Sequence, residues 1–470
     1  MQIGQRYIRA VSIAGFSKIY TAASAIAVLW LINAVAGKAG LGLVMSAYAL
    51  SNILGSIVAS WARAIIMYHG ARQEEFYENA GKTGACLFYT FVIGMAFALC
   101  VYWLAPWLAD AMDKPAIAGW LRGICLMIPA FALNGALTSL YRAQQDIRRM
   151  VLYFEIWPAT LRLIAFGAIY MMSLPSGWIV AGYIASFLLP FIALYCRRPL
   201  PIRLNPRYLS RWDMRHGGQV GLDRVVTKSM NNLVIVLLGF MVSAEIVAQY
   251  VLAMRVALFL QFPKLVIAQL KVPRMGRYMY ANDYNMLMAE FDIMRLLSLA
   301  ATLTGVACLA VVGPYLLELF GDYDGAYPLV MLLAIAALIR VGFGALGGYL
   351  TIAGYAGRAF IVNVFGLCVF LALLFMLTPD MAAQGAALAV TLSAFVVLTM
   401  QILVIRYSDG LWLHSVPSML GVAVAISGIA GHIYAGVPGM VLAGILFLAA
   451  LVMAFYALRG YYRDLKGEVL

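Results

Sequence analysis

Charge is what this chain of 470 residues has least of. Asp, Glu, Lys and Arg together make 11%, and only 20 residues are acidic. That is about half the usual charged fraction, so a water-soluble globular protein is excluded. Cysteine is sparse as well: Cys86, Cys100, Cys125, Cys196, Cys308 and Cys368 stand apart with no CxxC spacing. Neither a disulfide framework nor a thiolate metal site is expected. The histidines, His69, His216, His414 and His432, do not cluster, and nothing else implies a metal or another cofactor.

What fills the chain instead is hydrocarbon, 64% of residues with a mean hydropathy of +0.90. Apolar runs of about 20 residues recur throughout, each long enough to cross the roughly 30 Å membrane core as a helix. A transmembrane barrel needs short alternating strands and is excluded. The expected fold is all-α and polytopic, with about fourteen spans from 12–35 to 437–458. The first run follows MQIGQRYIRA without a small-residue cleavage pattern, so it reads as a retained helix.

The net charge of +13 points to topology rather than to nucleic acid. With an inner N-terminus, the inner segments and the span ends that border them hold 22 Lys or Arg, against Lys38 and Lys114 outside. Both termini are therefore expected in the cytoplasm. Every outer connection is short (GKAG, LPSG, AE, GDYDGAY, TPDMAAQ, AGVP), which leaves no room for an external catalytic domain. No enzyme is expected. The basic stretch 197–224, with Pro199, Pro201, Pro206 and Trp212, reads as a linker on the anionic inner leaflet. It divides an N-lobe, 1–196, from a C-lobe, 225–406; residues 407–470 add two helices and a tail. An offset of 210 residues carries Ser17-Lys18 onto Thr227-Lys228, and Ala143 and Arg148 onto Ala353 and Arg358. This is the mark of a parallel repeat, whose members place binding sites near the midplane between halves.

Within the spans lie Lys18, Arg63, Arg162, Lys228, Arg255 and Arg340. At about 2.5 to 3.5 kcal/mol each, such a set facing lipid costs on the order of 15 to 20 kcal/mol. They must mostly face protein or water, although Arg63 is close enough to a helix end to snorkel. Only Glu155 lies well inside a span among the acidic residues, so an anionic ligand is the natural counter-charge. Glu155 either pairs with a neighbouring helix or takes a coupling ion, and Asp223, at a helix end, is a second candidate for the ion. In GLDRVVTKSMNNLVI, Arg224, Lys228, Asn231 and Asn232 share one helical face. The two amides bond either a neighbouring helix or a ligand's hydroxyl and phosphate oxygens. Glycines crowd GFGALGGYLTIAGYAG, for close packing or as a bending point. Pro129, Pro158, Pro190, Pro263 and Pro314 read as packing kinks.

Stretches such as LYRAQQDIRRMVLYFEIWPATLRLIAFG, GLDRVVTKSMNN, VPRMGRYMYANDYNMLMAEFDIMRLLSL and GFGALGGYLTIAGYAGR resemble the polysaccharide transporter, or O-antigen flippase (Wzx-like), family. That family belongs to the multidrug/oligosaccharidyl-lipid/polysaccharide exporter superfamily. The resemblance covers most of residues 10 to 406. It implies two six-helix lobes and a cationic cavity. It also implies alternating-access transfer of an undecaprenyl diphosphate-linked oligosaccharide (O-antigen, exopolysaccharide or capsule unit) to the outer leaflet of the bacterial inner membrane. Lys18, Arg63, Arg162, Lys228, Asn231, Asn232, Arg255 and Arg340 are the expected substrate-binding residues. Implied partners are the lipid-linked oligosaccharide, a coupling proton or sodium ion, membrane lipids, a polysaccharide polymerase and glycosyltransferases. Fourteen helices exceed the twelve of many O-antigen flippases, so a lipid II flippase stands as the alternative. The N-terminus, however, does not resemble that family's glycine- and arginine-rich first helix. A multidrug antiporter needs intramembrane carboxylates and fits less well.

The charge asymmetry makes a direct prediction. In a cysteine-free background, Asn205→Cys should stay unlabelled by an impermeant thiol reagent in intact cells and react after permeabilisation. Labelling of intact cells would reverse the topology.

Overall fold

The computed structural model describes residues 2–70, 76–144, 146–197, 208–215, 217–218, 230–281, 283–321, 323, 325–411 and 416–467. Asp223, Arg224, Lys228 and most of the basic linker lie outside the described residues. Every regular element among the described residues is helical. In chain order they are α1 (Gln2–Gly70), α2 (Phe76–Ala111), α3 (Ile117–Ile124), α4 (Met127–Ala143), α5 (Ile147–Val151), a π-helical turn (Leu152–Ile156), α6 (Trp157–Met171) and α7 (Trp178–Cys196). Then follow α8 (Met230–Met241), α9 (Ala244–Leu258), a 3-10 turn (Phe259–Gln261), α10 (Phe262–Tyr280), α11 (Tyr284–Glu318), α12 (Ala326–Gly342), α13 (Leu346–Ile352), α14 (Ala356–Asp409), α15 (Val416–Ala435) and α16 (Gly439–Gly467).

Among the described residues, eleven helical stretches are long and apolar enough to cross a membrane. Two of them, Gly15–His69 and Gly357–Asp409, run 55 and 53 residues, or roughly 80 Å at 1.5 Å per residue, more than twice the hydrocarbon thickness. Each is broken once inside, α1 at Gly37 (φ 72°) and α14 at Ala382 (φ 48°). Gly37 sits in the GKAG connection, where a positive φ is open to glycine and costly for other residues. Taken as two passes each, and with the shorter apolar Met230–Met241, these stretches make the fourteen spans read from the sequence.

The chain divides by its contacts into two units, Met1–Val251 and Leu252–Leu470, the division falling within α9. In the first unit α4 is the central element, packed by α1, α2 and α7. In the second, α12 is packed by α11, α14 and α15, while α16 lies along α11. The most apolar 18-residue parts of Ile117–Ala143 and Ala326–Ile352 are 83% and 78% buried, and the corresponding part of no other span among the described residues exceeds 56%. These two are the hubs, and they lie 209 residues apart. Other elements follow the same offset: α2 and α11, α5 to α6 and the first part of α14, α7 and its second part. The 210-residue repeat seen in a few residues is thus a repeat of helices.

A short piece of the linker is anchored to the first unit. The Asp213 carboxylate, 2% exposed, accepts from His69 Nε2 at 2.6 Å, at the end of α1, and from the amide and hydroxyl of Ser210. Lys82 Nζ lies 3.5 Å from His69 Nδ1, and Trp212 packs on Tyr68 with ring centroids 5.0 Å apart. Burial pushes the Asp213 carboxyl up, but the hydrogen bonds from His69 and Ser210 outweigh it and hold the group below its ordinary value. A depressed folded value stabilises above the unfolded one. The contribution is therefore complete at neutral pH and lost as the pH falls through the folded value, below about 4. Asp213→Asn should expose Arg211 and Arg215 to trypsin about 10- to 100-fold faster at pH 7 in solubilised protein, because the buried ring loses its anionic partner. An unchanged digestion rate would mean that the segment is held by other contacts.

Candidate functional site

The first unit's charged cluster is built on a distorted helix. Between α5 and α6 the chain makes a π-helical turn, Leu152–Ile156, with Pro158 entering the next helix. A π turn carries one extra residue and re-aims its side chains. Glu155 projects from it to meet α1: Lys18 Nζ lies 2.5 Å from Oε1 and Ser17 Oγ 2.6 Å from Oε2. Tyr20 and Thr160 continue the seam with a 2.7 Å hydroxyl pair. Of the two readings of Glu155, pairing with a neighbouring helix is the one present in this structure, and its partner is one of the expected substrate lysines.

The other first-unit cations are met by carbonyls and rings. Arg63 donates through Nε to the Gly135 carbonyl at 3.1 Å, with its guanidinium 4.9 Å from the Phe154 ring centroid. It faces α4. Arg162 donates to the Pro158 carbonyl at 2.9 Å and lies 5.5 Å from the Phe187 ring centroid. Asn232 reaches across to α1 and donates to Asn52 Oδ1 at 3.0 Å, which is the helix-bonding role for an amide in a membrane. Asn231 beside it is half-buried. Lys114, between two spans, caps the end of α8 through the Gly239 and Val242 carbonyls at 2.6 and 2.5 Å. Burial pulls its ammonium value down, against the attraction of Glu245 and Asp113.

In the second unit Arg255 is half-buried on α9 and meets no carboxylate among the described residues. Arg340 lies near the end of α12, where the helix breaks. The Gly344 amide turns to the Val341 carbonyl at 2.9 Å, with φ +77° at Gly344. The Arg340 carbonyl is taken instead by Lys264 Nζ at 2.6 Å. Lys264 follows a second irregularity: α9 ends in the 3-10 turn Phe259–Gln261, Pro263 opens α10, and Thr302 Oγ1 satisfies the freed Leu260 carbonyl at 2.9 Å. Sequence reasoning passed over Lys264. Its signal is the lysine next to Pro263 inside the span read over 245–271, where the proline alone drew the reading. The glycine-rich segment is a genuine break, closed below by Tyr349 and Tyr355, whose hydroxyls donate to Asp409 at 2.7 and 2.6 Å.

Helix α11 begins about nine residues earlier than the span read from sequence, and this brings in more charge. Glu290 holds Lys271 and Arg274, and Arg295, 2% exposed, pairs with Asp292 beneath the Phe291 ring. Arg295 borders an apolar cavity of about 490 Å³ lined also by Phe343, Phe395, Ile402, Met419 and Val422. Hydrocarbon is what such a lining accommodates. Among the described residues no cluster of His, Cys, Asp and Glu has the makings of a metal site.

Comparison with solved structures follows from this geometry. A multidrug resistance MATE family transporter of the MOP superfamily, inward-facing, superposes with a TM-score of 0.66 at 14% identity, over 83% of this chain and 94% of its own. The lipid II flippase MurJ, inward closed, superposes with a TM-score of 0.73 at 12% identity, over 97% of this chain and 99% of its own. A MOP superfamily transporter from Pyrococcus furiosus, described as having a binding pocket of reversed polarity, gives 0.61 at 14% identity over 85% and 95%. This chain has the fold of these transporters. No family model and no curated protein matches its sequence.

One contact of the first unit can be tested by packing alone. A Cβ on Gly135 would run into the Arg63 guanidinium. Gly135→Ala should therefore cost about 1 to 3 kcal/mol, and much of that loss should vanish in an Arg63→Met background, as thermal melts of the solubilised single and double variants would show. Equal losses in both backgrounds would rule out the contact as the cause.

Proposed function

We propose that this protein is a flippase that carries a polyprenyl diphosphate-linked oligosaccharide from the inner to the outer leaflet of a bacterial inner membrane by alternating access. One observation carries the reading. Among the described residues, the intramembrane cations Arg162 and Lys264 are answered by carbonyls and an aromatic ring and pair with no carboxylate. A carbonyl or ring offsets part of a buried positive charge, and a mobile anion supplies the remainder. The proposed substrate set is Lys18, Arg63, Arg162, Lys228, Asn231, Asn232, Arg255 and Arg340. Basic groups in it hold the diphosphate and amides meet the glycan. Lobes 1–196 and 225–406 rock about the linker 197–224, with both termini in the cytoplasm. The Lys18–Glu155 pair suits a coupling role, because a proton on Glu155 would free Lys18 for the substrate; Asp223 is the second candidate for the coupling ion. Extruding cationic drugs calls for a free intramembrane carboxylate, and Glu155 is engaged by Lys18 and Ser17. Polymerase and glycosyltransferases of the same glycan are the proposed partners.

A second reading has its own support. The lipid II flippase structure is covered almost end to end, α15 and α16 included, whereas the MATE structure leaves more of this chain unmatched. Lipid II is itself a diphosphate-linked glycan, so the two readings differ in the sugar. Replacement of Arg162, Arg255 or Arg340 by Ala should lower surface display of the glycan about 10-fold or more, at unchanged protein level in the membrane. Wild-type display from all three, with no accumulation of lipid II, would remove the anionic cargo. Accumulation of lipid II, with surface glycan intact, would select the second reading.

A further inference from the structure

A main-chain carbonyl in the middle of a membrane helix is normally taken by the amide four residues on. At Arg340 it is not, because Gly344 bonds Val341 and the helix ends at Gly342. Into that place comes the ammonium of Lys264, at 2.6 Å from the carbonyl oxygen. A cation at a helix C-terminus is favourable in itself, since the last carbonyls carry partial negative charge. Two facts set this cap apart from an ordinary one. The contact draws Lys264 to the level of Arg340, about the middle of the span Ala326–Ile352. The Arg340 charge is also close enough to act on the ammonium, and it has the same sign. No carboxylate pairs with Lys264 among the described residues. The cap is thus a single neutral acceptor holding a charged donor beside a like charge, in low dielectric.

An anion entering here changes the balance. Hydrogen bonds between two charged groups are roughly twice as strong as those with one neutral partner. An ammonium has three donors on a flexible stem and can swing or share. A diphosphate would relieve the repulsion between Lys264 and Arg340 and compete with the Arg340 carbonyl for the same donor. Resting on the proposed anionic cargo, we propose that Lys264 is an exchangeable cap: it holds the broken end of α12 when no anion is present and turns to the substrate's diphosphate when one binds. Binding then loosens the break at Phe343–Ala345. The coupling needs no contact between cargo and hinge, because the same ammonium serves both.

Farnesyl diphosphate is the probe, with farnesol as the uncharged control, on the full chain in nanodiscs. Wild-type protein should bind farnesyl diphosphate, and hydrogen–deuterium exchange of peptides covering 339–348 should rise on binding. Lys264→Met should weaken that binding about 10- to 100-fold, raise exchange at 339–348 without probe, and show no further response. Lys264→Arg should keep both the binding and the response. A second measurement needs no variant: farnesyl diphosphate, and not farnesol, should protect Lys264 of the wild-type protein from a membrane-permeable acylating reagent, read by mass spectrometry. Binding with neither protection nor altered exchange overturns the exchangeable cap and leaves the flippase reading standing. Protection without altered exchange also overturns it, since Lys264 then binds the anion without acting on the hinge. No binding of farnesyl diphosphate by wild-type protein overturns both.

Discussion

A positive charge inside a membrane has to be answered by something, and this chain has almost nothing acidic with which to answer. That shortage shapes the structure. Four interior cations show the solutions: a carboxylate, shared with a hydroxyl, for Lys18, a carbonyl and a ring for Arg63 and for Arg162, a freed carbonyl for Lys264. A helix offers spare carbonyls mainly where it ends, so the sites and the irregularities coincide. Glu155 stands on a π turn, Lys264 follows a 3-10 turn and a proline, and its acceptor lies at a broken helix. Lys114 uses the end of α8 in the same way.

The scaffold that tolerates these distortions is organised around two buried hubs. Ile117–Ala143 and Ala326–Ile352 are covered on most sides by protein, while the helices around them leave large apolar side chains on the surface for lipid. Without a hydrophobic drive between helices in lipid, close packing holds such hubs. Gly135 shows the consequence: the hydrogen that replaces a side chain leaves room for the Arg63 guanidinium against the helix backbone.

Much of this was legible in the sequence, for reasons that differ by feature. Spans are written in hydropathy, and the turns at GKAG and TPDMAAQ lie where the two longest helices break. Glu155 stood out because it is rare. Its partner could not be read, since Ser17 and Glu155 lie 138 positions apart and meet only when α1 packs on the π turn. Lys264 was hidden for a different reason: hydropathy set it near the end of a span, while its contact with Arg340 depends on irregular turns that no periodicity records. The missed Glu290 and Asp292 are an edge effect, the helix running past the point where the apolar pattern fades.

The repeat sharpens what those charges mean. Subtracting 210 from three interior cations of the second unit gives Met45 for Arg255, Leu54 for Lys264 and Ala130 for Arg340; adding it gives Phe365 for Glu155, Ala372 for Arg162 and Pro273 for Arg63. Helix boundaries survive the comparison and these interior charges do not; Lys18 with Lys228, and Arg148 with Arg358 at the inner helix ends, are the charges that do. Packing constrains the scaffold in both copies alike, because each hub must be buried by the same set of neighbours. Nothing in packing demands a charge at these positions, since the other copy builds the same helices with apolar residues there. A charge that the fold does not require, placed where membrane insertion penalises it by about 2.5 to 3.5 kcal/mol, fits the proposed anionic cargo. The copies have accordingly diverged in how their charges are held: a carboxylate-compensated lysine in the first, and in the second a lysine on an arginine's carbonyl at a broken helix.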